Sequence, residues 1–167
     1  MNYEQVETDI LTRLAPLSGF DIEVVPLPEN QNDFKRPFDK GKVTVGYKGS
    51  KWKMPSSTGE VSQLEIVTFE FGLQSRTLRG PVGIYTILNF VLVALIGFKP
   101  TNSEKMYAHE AGMTGVQGVF EDGVWTYTLL LSFNRINVED FEEDLTLILR
   151  RITNNFPVTN DQVIVGS

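Results

Sequence analysis

The sequence predicts an α+β domain: a mixed or antiparallel β-sheet packed against two or three helices, with a β-hairpin and a long basic loop. Three observations predict it. Apolar residues recur at three- and four-residue spacing in Asn2–Leu14 and again from Phe141 to Ile152. Alternating apolar and polar residues mark strands at Val67–Leu73 and Trp125–Phe133. Between those strands lies an almost wholly apolar run, Val82–Phe98. At 167 residues the chain is long enough to bury one sizeable core. Residues 1–156 are expected to form a single domain, and 157–167 an arm or tail whose apolar patch Val163–Val165 could add a strand to a neighbour's sheet.

In order along the chain, Tyr3, Val6, Ile10, Leu11 and Leu14 define one face of the first helix, and Pro16 and Gly19 are expected to end it. Phe20–Leu27 alternates, and Pro26 and Pro28 keep it from a central position, so a short edge strand is expected. Asn30–Asp39 reads as a loop. Lys42–Tyr47 reads as a strand with Val43, Val45 and Tyr47 on one side, and Gly49–Gly59 returns to loop chemistry. Val61–Ser75 has the composition of a central strand, with Glu65, Thr68, Glu70 and Gln74 keeping part of one face wet or at an interface.

Arg79-Gly80-Pro81 is expected to open the apolar helix, Pro81 standing where no backbone N–H is needed. Eighteen residues from Pro81 to Phe98 would span about 27 Å, close to a bilayer core. Tyr85, Thr86 and Asn89 interrupt the run. A helix buried between the sheet and a second cover, such as a neighbouring subunit, is therefore the expectation, with no membrane partner; a membrane-associated protein using Val82–Phe98 is the alternative. Met106–Phe120 carries Gly112, Gly115 and Gly118, and Asp122-Gly123 signals a hairpin turn before Trp125–Phe133. Asn137 is placed to cap a last helix, with Glu139 and Asp140 in its first turn and Arg150 and Arg151 in its last.

The chain has no cysteine, which excludes disulfides, thiolate metal sites and a cysteine nucleophile. The first ten residues show no basic segment leading into an apolar run, so a cytoplasmic site of synthesis is expected. His109 and Glu110 would need a second histidine at position 113 to form a zinc helix, and Met113 stands there. No phosphate loop or dinucleotide fingerprint is present. Glu65 and Glu70 differ by an odd number and would lie on opposite faces of a strand, which argues against a paired-acid site. The expectation is a protein without a catalytic centre, cofactor or metal. An acid-dependent hydrolase using Glu65, Glu70, His109 or Asp122 is the enzymatic alternative.

Charge is the most informative feature. Residues 31–59 hold seven lysines and arginines against two aspartates, a net +5 that leaves −11 for the remainder of a chain whose total is −6. Surfaces of opposite sign on one molecule favour oriented association. The candidate subunit interface pairs Lys35, Arg36, Lys40, Lys42, Lys48, Lys51 and Lys53 with the acidic residues Glu139, Asp140, Glu142, Glu143 and Asp144 of the next subunit; a solvated basic loop, or a nucleic-acid contact in which Phe38, Tyr47 and Trp52 stack, are the alternatives.

The order of these elements, from the N-terminal helix through the basic excursion, the central strand, the apolar helix opened by Arg79-Gly80-Pro81 and the glycine-rich hairpin ending in Trp125–Phe133, resembles the tail-terminator proteins of long-tailed, contractile, Mu-like bacteriophages. The resemblance covers residues 2–156. It implies a homohexameric ring in the virion tail, assembled in the host cytoplasm. Such a ring caps the tail tube and sheath, stops their polymerisation and joins the tail to the head-side connector protein. The partners it implies are further copies of the chain, tube and sheath subunits and the connector, with non-specific proximity to DNA in the lumen. Another head–tail connector or a baseplate adaptor is the neighbouring alternative.

Overall fold

The computed structural model describes residues 2–30, 37–55, 62–108 and 118–138. Helix α1 (Tyr3–Leu14) starts where the Asn2 side chain accepts the Glu4 N–H at 3.1 Å, and it buries Val6, Ile10 and Leu14, one residue per turn. Pro16 does not simply end the helical path. It lies in a 3-10 turn, Ala15–Phe20, whose early position tolerates the missing N–H, and the turn stops at Asp21 in the left-handed region (φ 58°).

Strand β1 (Ile22–Pro26) pairs in parallel with β2 (Gly41–Trp52), β2 antiparallel with β3 (Ser62–Ser75), and β3 antiparallel with β6 (Val124–Val138). The outer side of β6 carries β4 (Tyr107–Ala108) and β5 (Gly118–Glu121). Among the described residues these six strands form one mixed, open sheet in the order β1-β2-β3-β6-β4, with β5 also on β6. With two helices laid on it, the fold is α+β. As Pro26 requires, β1 is an edge strand.

Helix α2 (Ile84–Leu95) is shorter than the sequence pattern suggests. Pro81 does not open it. Residues 80–83 form a turn in which Gly83 N–H donates to Gly80 O at 3.0 Å, and a Cβ on Gly83 would stand 2.5 Å from the Arg79 carbonyl carbon. At the other end Gly97, at φ 82°, turns the chain out, and Gly97 and Phe98 exchange backbone hydrogen bonds with Met106. The remaining 12 residues rise about 18 Å. No helix among the described residues is long and apolar enough to cross a membrane.

Both helices cover the same face of the sheet. Ile84, Ile87, Val91 and Leu95 from α2 and Val6, Ile10 and Leu14 from α1 meet Val43, Val45, Val67, Phe69, Phe71, Leu73, Leu129, Leu131 and Phe133 in one core. Each of these large side chains contributes about 1.5–3 kcal/mol by leaving water. The hairpin turn is as the Asp-Gly signal requires: Asp122 and Gly123 both have positive φ, 51° and 77°, and Glu121 pairs with Val124. The helix expected after Asn137 and the arm at 157–167 lie outside the described residues.

Candidate interaction surface

Strand β2 does not end at Tyr47. It continues to Trp52 through a bulge between Tyr47 and Gly49, where Gly49 adopts φ 146°. A bulge adds one residue to one strand and so inverts the alternation beyond it. Before it, Val43, Val45 and Tyr47 share the helix-covered face with Leu73, Phe71 and Phe69. After it, Ser50 and Trp52 take that face, opposite Val67 and Glu65, and Lys51 joins Ile66 on the other. The loop reading of Gly49–Gly59 fails for this segment because a glycine in mid-strand marked a bulge and not a break.

Lysines thereby collect on the open face, but not all are free to meet a partner. Lys40 is ion-paired with Asp21, and Lys48 with Glu70. Lys42 is only 2 % exposed, standing between Glu23 and Gln74 in the neighbouring strands, so it does not form an outer contact. Lys51 and Lys53 are exposed and make no ion pair among the described residues. Lys35, Arg36, Glu139, Asp140, Glu142, Glu143 and Asp144, and with them the acidic half of the expected interface, lie outside the described residues.

Beside Lys51 and Lys53 the open face is apolar. Leu64 stands opposite Ile136, Ile66 opposite Asn134, and Val138 opposite Ser62. Ile136 and Val138 are 59 % and 55 % exposed. Further along the same face a depression of about 330 Å3 is bordered by Thr44, Lys48, Glu70, Gln74, Thr126 and Thr128. Its hydroxyls, amide and single ion pair can hydrogen-bond a partner but offer no nucleophile–base pair. No described helix packs on this face. Glu70 lies on it and Glu65 on the other, as their odd separation requires.

Glu65 departs from the expectation that it helps keep one face of β3 wet. It belongs to the phase of Val67 and Phe69, not to the wet face, and is 0 % exposed. Tyr3 Oη donates to its Oε1 at 2.7 Å, Asn137 Nδ2 donates to its Oε2 at 2.9 Å, and Arg135 Nη1 stands 3.8 Å from Oε2. Burial by itself would raise this carboxyl. Hydrogen bonds from Ser50, Asn137 and Tyr3, with the Arg135 charge, outweigh it and hold the pKa below the ordinary 4.5. The hydrogen bond to Glu65, followed by burial, pushes Tyr3 up to about 12. Asn137 is thus a strand residue ligating a carboxylate, not a helix cap. The signal for this cluster was the parity of Glu65 with Val67, Phe69 and Phe71.

Among the described residues no group of three or more His, Asp or Glu side chains converges as metal ligands would. His109, Glu110 and Met113 lie outside the described residues. A family model described as Gp37 protein matches residues 10–156, most of the chain, including the whole sheet and α2. No relative among curated proteins matches the chain.

Proposed function

The chain belongs to the Gp37 protein family, a bacteriophage protein family, and from that premise we propose that it is a virion structural protein, the terminator of the tail. In this reading six copies form a ring that caps the tail tube and sheath, stops their polymerisation and presents a surface to the head-side connector. The protein works by assembly and has no catalytic centre or cofactor of its own.

The observation that carries the reading is the one-sided construction of the sheet among the described residues. Its helices cover one face, and the other keeps Lys51 and Lys53 beside exposed Ile136 and Val138. Contiguous apolar surface rimmed by charge is what protein contacts use. On the opposite, helix-covered side of the sheet, α2 exposes a separate apolar residue, Val93, which is 74 % exposed. The division of charge also fits a ring, in which two different patches of one subunit meet in each contact.

The test is electron microscopy of particles assembled without this protein. Overlong tails, or finished tails that fail to join heads, are the expected result. Absence of tails would transfer the protein to the baseplate adaptors, and normal joined tails of normal length would overturn the reading.

A further inference from the structure

Resting on that assembly reading, we propose that the basic, apolar end of the open sheet face receives the acidic, apolar tip of the β5–β6 hairpin of a second copy of the chain, head to tail. The receiving end is built by Lys51, by Lys53, whose N–H donates to Leu64 O at 2.9 Å and so extends the β2 register, and by Ile136 and Val138. The inserting tip is built by Val119, Phe120, Glu121 and Asp122, all exposed.

The two patches match in kind: two ammonium groups beside aliphatic side chains on one, two carboxylates beside an aliphatic and an aromatic side chain on the other. They cannot meet within one molecule. Both belong to the ends of β6, whose 15 residues span roughly 50 Å. A contact between unlike patches at opposite ends repeats from copy to copy, closing a ring or running on as a filament. The tip is also preorganised. Its turn is fixed by positive φ at Asp122 and Gly123, and the Phe120 ring, 56 % exposed, rests 4.7 Å from that of Trp125. Little ordering is then needed on docking.

The acidic side of α1, with Glu4, Glu7 and Asp9, is a weaker fit, because α1 exposes no large apolar side chain to match Ile136 and Val138. Arg76 and Arg79 stand at the hairpin end of the sheet but beyond β3, with β6 between them and β5, so the tip itself carries only acidic charge.

The cysteine-free sequence makes the contact directly testable. Lys53→Cys and Asp122→Cys are purified separately, mixed and mildly oxidised. The expected product is a disulfide-linked dimer from the mixture and none from either variant alone, and the double variant should give a ladder ending at the ring size. Self-crosslinking of Asp122→Cys to the same extent would mean a two-fold contact and overturn the proposal. A wild-type oligomer by light scattering with no crosslink in the mixture overturns this contact and leaves the assembly reading standing. A monomer at every concentration with no crosslink overturns the contact, and tail morphology then decides the terminator reading on its own. As a second line, Lys51→Glu with Lys53→Glu should weaken self-association on the order of tenfold, and adding Glu121→Lys with Asp122→Lys should restore it. Unchanged association in the reversed protein also overturns the contact.

Discussion

Tyr3, the first residue of α1, donates its hydroxyl proton to the Oε1 of Glu65 in the middle of the sheet at 2.7 Å, across 62 positions of sequence. The bond ties the start of the chain to β3, while Asn137 ties the end of β6 to the same carboxylate. A buried carboxylate is tolerated only when such donors replace water.

Tyr3→Phe should therefore lower stability by about 1.5 kcal/mol, the low end for a hydrogen bond to a charged acceptor, because Tyr3 is only half-buried. In a domain of this size that is a fall of about 3–6 °C in Tm. A double-mutant cycle with Asn137→Ala should show non-additivity, since both donors serve one carboxylate. Additive losses would mean that the two bonds act independently.

Urea denaturation across pH should show two limbs from this pair. The depressed carboxyl of Glu65 gives stability that is complete above pH 4.5 and is lost as pH falls through its lower folded value. The raised phenol of Tyr3 gives stability that is complete below pH 10 and is lost as pH rises towards about 12. Tyr3→Phe should flatten the alkaline limb, and Glu65→Gln the acid limb.

Gly49→Ala isolates the energetics of the bulge. A methyl there meets nothing within 4 Å, so the cost comes from φ 146° alone. The expected loss is about 1–3 kcal/mol. A change below about 0.5 kcal/mol in the denaturation midpoint would show that the backbone relaxes and that the bulge does not depend on glycine.

Core and outer surface should respond differently. Phe69→Ala, at a fully buried position between Tyr47 and Phe133, should cost about 3–5 kcal/mol. Val93→Ser on the outer side of α2 should change the stability of the isolated chain by less than about 0.5 kcal/mol. A loss of native mass by Val93→Ser at unchanged monomer stability would place α2 in the subunit contact.

Much of the framework was legible because it depends on local pattern. Asn2 and the three- to four-residue spacing specify α1, the prolines confine β1 to an edge, Asp122-Gly123 sets the hairpin, and the alternation of Tyr127, Leu129, Leu131 and Phe133 sets the buried side of β6. The division of charge was equally plain in the sequence. Three features were decided only by the tertiary structure. Which lysines face outward depended on a single bulge, because one inserted residue exchanges the faces of everything after it. The length of α2 depended on a turn at Gly83 and a left-handed Gly97, which stop the helix where hydrophobicity would let it continue. The burial of Glu65 depended on Tyr3, Ser50, Arg135 and Asn137 arriving from three other elements, since a carboxylate alone would have stayed in water and only converging donors make its burial stable.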